Sequence, residues 1–117
     1  MRHPNDFDPM SPEEVDEVAF NFDGGLSLTE ELTSATFTIQ VDSSQLREGF
    51  TLDASPASRI IGTSAIAPVE GGSKNVLAIQ QIGDLQAGNM YRIICKAVTD
   101  RDSELILWAN LFCQPIV

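Results

Sequence analysis

The sequence predicts an all-β sandwich of about seven short strands preceded by an extended acidic arm, and three observations predict it. Apolar residues alternate with polar ones in short runs, most cleanly where Ala35, Phe37, Ile39 and Val41 interleave with Thr36, Thr38, Gln40 and Asp42, the period of a strand with one buried face. Glycine, proline and small polar residues separate the runs at short intervals. No segment carries the periodicity of an amphipathic helix. With 117 residues, 43% of them hydrophobic, the chain is long enough to close one core without metal or disulfide support. The expected organisation is an arm over residues 1–14 and one sandwich domain over residues 15–117.

Pro4, Pro9 and Pro12 stand among acids at the start, a composition that favours an extended arm, ordered against a partner, over a helix. Val18, Phe20 and Phe22 then alternate with Ala19, Asn21 and Asp23, giving a first strand that Gly24 and Gly25 end. Residues 35–41 form the second. The polar stretch 42–56 reads as a long connection with room for a short strand around Phe50 and Leu52. Ile60, Ile61 and Ile66 around Gly62 suggest a bulged strand closed by Pro68, Gly71 and Gly72. Val76, Leu77, Ile79 and Ile82 fit a further strand between glycines. Residues 90–99 and 105–113 read as a hairpin turning at residues 100–103, with Tyr91, Ile93, Cys95 and Ala97 on one face.

Charge is unevenly distributed. The formal net charge is −10, and ten acids with no Lys or Arg lie between His3 and Leu46, whereas seven acids face six basic residues from Arg47 onward. Such a field repels nucleic acid phosphates and favours a basic protein partner or a solvated surface. The apolar runs are far shorter than the roughly 20 residues needed to cross a bilayer, and the amino terminus lacks the apolar stretch of a secretory signal. A membrane partner is not expected.

The two cysteines, Cys95 and Cys113, test poorly as a disulfide. A hairpin centred on Arg101 and Asp102 sets Cys95 opposite Trp108 and offsets the thiols by roughly 17 Å, against a limit of about 7 Å between Cα atoms. Both are read as reduced, structural cysteines. Trp108 and Phe112, with Ile106, are read as core residues in preference to an exposed aromatic strip, because a sandwich of 117 residues needs large residues inside.

Enzyme chemistry finds little support. The only histidine, His3, lies in the arm, Cys95 lies mid-strand without a histidine nearby, and no phosphate-cradling glycine loop is present. Asp100, Asp102 and Glu104 alternate in one turn, but without the glycine and late glutamate of a helical calcium loop they read as a solvated turn. No cofactor is expected.

Gly88 and Tyr91 are the most specific local signal. They place a tyrosine at the start of a strand just after a tight glycine connection, where immunoglobulin-like folds turn such a hydroxyl back onto nearby backbone to pin a corner. The order of features extends the likeness over nearly the whole chain. Asp8, Pro9, Glu13, Glu14 and Val15 lead into an alternating strand, a glycine-leucine turn and the Thr-rich residues 33–41; Pro56, Ala57, Ser58, Ile60, Ile61 and Gly62 follow, then Gly72, Val76, the Gly88 to Tyr91 corner and a closing strand ending in Val117. This order resembles small immunoglobulin-like virion proteins of tailed phages, notably the phage fiber-tail adaptor group. The turn at residues 100–103 lacks the glycine expected in that group, and the loop over residues 42–54 is differently built.

The resemblance implies an immunoglobulin-like sandwich with a non-enzymatic structural role in a bacteriophage virion, made in the bacterial host cytoplasm. It implies an adaptor that attaches fibers or other components at the tail or neck. Its partners would be other virion proteins (tail, neck, fiber or capsid subunits), met in a symmetric assembly of many copies. On this reading the contacts fall on Phe7, Asp8, Met10, Glu13, Glu14, Val15, Asp16, Glu17 and Val18, with Phe7 and Met10 as apolar anchors, and on Arg101 in an exposed loop. The alternatives are a capsid decoration protein and a carbohydrate-binding or adhesive module, the latter requiring exposed aromatics.

Overall fold

The computed structural model describes residues 6–115, so that His3 and the first part of the arm lie outside the described residues. Among these residues six strands form: β1 (Val15–Asn21), β2 (Leu32–Val41), β3 (Ile60–Pro68), β4 (Asn75–Gly83), β5 (Met90–Thr99) and β6 (Glu104–Phe112). They make two three-stranded sheets, ordered β1-β4-β3 and β2-β5-β6, with every neighbouring pair antiparallel. The sheets pack face to face as a β-sandwich.

Alternation decides what lies between them. Val18 and Phe20 of β1, Phe37 and Ile39 of β2, Ala78 and Ile82 of β4, Tyr91, Ile93, Cys95 and Ala97 of β5, and Ala109 and Leu111 of β6 form one buried cluster. Their polar neighbours along each strand face outward, as the two-residue period requires. Phe7, Phe20 and Phe37 cross the core as an aromatic row, with ring centroids 5.2 and 6.1 Å apart.

Three expectations are corrected. The short strand around Phe50 and Leu52 does not form. The connection instead carries two single 3-10 turns, Ser43–Gln45 and Pro56–Arg59, and its backbone bonds go to the Gly88 corner, with Arg47 N–H donating to Gly88 O at 2.9 Å. That leaves six strands where about seven were expected.

The hairpin register is also one residue away from the expected one. Cys95 faces Leu107, and Trp108 faces Ile94. The turn accounts for this: Thr99 N–H donates to Ser103 O, Asp102 N–H donates to Thr99 O, and Asp102 takes a left-handed φ of 58°, so the loop absorbs an additional residue. Because a one-residue slip exchanges the faces of a strand, Trp108 and Ile106 turn outward instead of joining the core. Trp108 is 48% exposed. Leu105 and Leu107 take the inward positions.

The arm, third, finds its partner within the chain. Phe7 N–H donates to Asn110 O at 3.0 Å, Met10 N–H to Phe112 O at 3.1 Å, and Gln114 N–H to Met10 O at 2.7 Å. Met10 forms a parallel bridge with Cys113. Ser11 and Glu14 then close a turn, each donating its N–H to the other residue, which delivers the chain to β1. The arm therefore lies beside the end of β6 and carries Met10 into the core.

Candidate functional site

Two ends, one seam and one outer face of the sandwich present functional groups. At the first end, the Gly88 corner brings together residues distant in sequence. Tyr91 donates its hydroxyl to Asp53 Oδ2 at 2.7 Å and accepts Gln86 N–H at 2.9 Å. Arg59 closes on the same carboxylate through Nε at 2.8 Å and Nη2 at 3.0 Å, a bidentate, charge-assisted pair. Asn89 accepts Asp53 N–H at 2.9 Å and donates to Thr51 O at 3.0 Å. Gly88 adopts φ +81°, and Phe50 lies where its Cβ would be.

The electrostatics follow from these contacts. The Arg59 guanidinium, helped by the Tyr91 hydroxyl and Ser55 N–H, outweighs burial and holds Asp53 at about 2. Burial, and then the neighbouring Asp53 carboxylate, push the Tyr91 phenol upward. Among the described residues no buried side-chain polar atom of the cluster lacks a partner, which makes it a fastening between the long connection and the corner.

At the opposite end, Glu30 is buried against Thr99, whose hydroxyl donates to Oε2 at 2.7 Å, and accepts Ser27 N–H at 3.1 Å. The Thr99 bond, first, and that of Ser27 hold its carboxyl below the ordinary range. Arg101 is exposed and donates to the Thr29 hydroxyl.

These positions divide the residues read from sequence as partner contacts. Glu13, Glu14, Val15, Asp16 and Glu17 are exposed near the Gly88 end, as is Asp8 on the arm. Arg101 lies at the far end of β5, roughly 30 Å away at the rise of a strand. Met10 and Val18 are only 4% exposed, and Phe7 packs edge-on against Phe20. Phe7 and Met10 anchor the arm to this chain's own sandwich.

Sequence reasoning missed the seam between the edge strands β1 and β6. Phe7 and Met10 of the arm occupy part of it. Beyond Phe7 lie two contiguous hollows. One, of about 350 Å³, is lined by Phe7, Ala19, Phe20, Asn21, Leu107 and Trp108. The other, of about 260 Å³, is lined by Asn21, Phe22, Gly24, Gly25 and residues 105–107. On the adjoining outer face, the Arg92 guanidinium stacks on the Trp108 ring at 4.2 Å, and a hollow of about 410 Å³ runs between Thr36, Thr38, Ile94, Lys96 and Ile106. The missed signal was the turn length, which fixes the register and thereby the faces of β6.

Burial raises the thiols of Cys95, to about 12, and Cys113, to about 11 with a further push from Glu14, so neither is a nucleophile near neutral pH. Both are free and buried. Among the described residues no cluster of His, Cys, Asp or Glu is placed to hold a metal ion, and no helix is long and apolar enough to cross a membrane. No family model, curated protein or solved structure matches the chain.

Proposed function

We propose that this chain is a non-enzymatic protein-binding module of immunoglobulin-like type that serves as a structural subunit of a bacteriophage particle, attaching fibers or other components at the tail or neck. The immunoglobulin-like reading is supported by strand order. Labelled B to G, the six strands pair as B with E and D, and C with F and G, with the arm in the position of a short strand parallel to the last one. Tyr91, at the start of the fifth strand, accepts the backbone N–H five residues upstream, as a tyrosine corner does.

One observation carries the binding reading: Ile106 and Trp108 stand 61% and 48% exposed at alternate positions on the outer face of a single edge strand. Contiguous exposed apolar surface is the mark of an interaction site. Repeated around a ring, such contacts hold a subunit through avidity. The virion assignment is supported by the order of sequence features alone, since a sandwich by itself serves many functions. Electron cryomicroscopy of the particle tests it. Density for the sandwich in a ring at the tail or neck is expected; a regular array over the head would make it a decoration protein, and its absence from the particle would overturn the assignment.

Trp108 also favours a second reading, a carbohydrate-binding module, because the indole is 48% exposed and the Arg92 guanidinium stacked on its ring puts a polar group next to aromatic surface. That reading requires saturable binding on a glycan array that Trp108→Ala abolishes.

A further inference from the structure

We propose that the outer face of β3 and β4 is the surface through which two copies of this chain pair, sheet against sheet, as a two-fold dimer. The pairing goes beyond the attachment role and does not depend on it.

Strand periodicity places the face. Val76, Ala78, Gln80 and Ile82 of β4 are buried, so the intervening Leu77, Ile79 and Gln81 point outward. Their register partners on β3 are Ala67, Ala65 and Ile61, which share that side. Gln81 is the one polar residue among these six, and none is charged. An antiparallel sheet with one face on a core ordinarily turns polar residues outward, as β2 does with Thr36, Thr38 and Gln40. Apolar surface kept outward on two adjacent strands marks a contact.

The shape of this face fits itself. Leu77 and Ile79 form a ridge along β4, and Ala67 and Ala65 beside them form a trough along β3, because an alanine side chain ends at Cβ. A two-fold axis parallel to the strands, between β3 and β4, seats the ridge of each copy in the trough of the other. Leu77 then lies over Ala67 of the second copy and Ile79 over Ala65, and the same residues serve both sides, as an isologous contact requires. Stacked sheets interdigitate in this way about 10 Å apart. The register shift between Ile61 and Ala65 interrupts the ladder of β3, an edge strand. Such a bulge hinders edge-to-edge pairing and favours contact through the face.

Charge points to a second copy as the occupant. The chain carries 17 acids against 7 Lys and Arg, so two copies repel on most approaches. β3 and β4 contain no Asp, Glu, Lys or Arg at any position, so contact there brings little like charge together and offers a charged partner nothing to pair with. With β1 included, the sheet measures roughly 14 Å across its strands and about 30 Å along nine residues. A dimer therefore buries on the order of 800–1,000 Å² in all, at the lower limit for a specific interface, and is expected in the micromolar range.

Sedimentation velocity of the full-length chain between about 1 μM and about 1 mM tests the proposal. The expected result is a reversible monomer–dimer equilibrium that salt strengthens, because screening lowers the repulsion between two acidic copies. Ala65→Lys, at an exposed position, is expected to weaken dimerisation at least about tenfold by leaving a charge unpaired in the contact. The same substitution lowers the net negative charge, so an association limited by charge alone would tighten instead. Ile79→Thr keeps a branched side chain suited to a strand but makes the ridge polar, and is expected to weaken dimerisation at least about threefold. Thermal unfolding checks that both variants fold. A monomer at every concentration, an open-ended oligomer, weakening by salt, or undiminished dimerisation of either folded variant overturns the proposal. So does a dimer that Ile106→Lys abolishes and Ala65→Lys spares, which would move the contact to the other sheet.

Discussion

The Tyr91 hydroxyl and the Asp53 carboxylate meet at 2.7 Å inside the Gly88 corner, joining the start of β5 to a connection 38 residues earlier. Tyr91 is fully buried and Asp53 nearly so. Tyr91→Phe keeps the ring but leaves Gln86 N–H without its acceptor and Asp53 without one donor. A buried polar group left unpaired costs about 1–3 kcal/mol. Urea unfolding of Tyr91→Phe is expected to show a loss in that range, with the slope of the transition unchanged.

Stability depends on pH through the same carboxylate. The folded value of about 2 lies below the ordinary 3.8, so ionised Asp53 stabilises the folded state above about pH 4. That contribution is lost as pH falls through the folded value. A depression of this size corresponds to about 2–3 kcal/mol. Stability measured between pH 5 and pH 2 is expected to fall in the wild type with a component that Asp53→Asn lacks. Equal acid sensitivity in the two proteins would refute this account.

Much of the fold was legible because alternation reports burial directly. Residues 35–41 carry their apolar set on one parity, and β2 pairs through them without interruption from Ser34 to Val41. The glycine before Tyr91 marked the corner. The register of β6 was not legible, because side-chain type does not reveal how many residues a turn absorbs, and one residue at Asp102 moves Trp108 from core to surface. Asp53, Arg59 and Asn89 were hidden for a different reason. Their partnership spans 36 residues between Asp53 and Asn89, and only the local turn in which Asp53 accepts Ser55 N–H has a sequence signature.

Gly88 is expected to resist substitution on two counts. Its φ of +81° disfavours any side chain, and a Cβ would stand 2.4 Å from Phe50 Cγ. Gly88→Ala is expected to destabilise by at least about 1 kcal/mol from the backbone conformation alone, with the clash added. Pairing it with Phe50→Ala removes the clash but not the backbone cost. A double-mutant cycle is therefore expected to show coupling of more than about 0.5 kcal/mol.

Met10 separates two roles for the arm. As an anchor for a neighbouring subunit it would be dispensable to the isolated chain, but it is buried in the chain's own core beside Cys113. Met10→Ala is expected to cost about 2–4 kcal/mol by removing core contacts, whereas Glu13→Ala, at an exposed position, is expected to change stability by less than about 0.5 kcal/mol. A neutral Met10→Ala would show that the arm detaches from β6 in solution.

Cys95 and Cys113 give a readout of that attachment. With thiols at about 12 and 11, almost no thiolate exists at pH 8, and burial blocks approach. The folded chain is expected to react negligibly with a chromogenic aromatic disulfide, and to release two thiols per chain in denaturant, matching its two cysteines. Because Cys113 bridges Met10 while Cys95 lies mid-strand, loosening the arm by Met10→Ala is expected to expose Cys113 first. Labelling followed by mass spectrometry distinguishes the two sites. Equal acceleration at Cys95 would mean that the substitution opens the whole sandwich, not the arm alone.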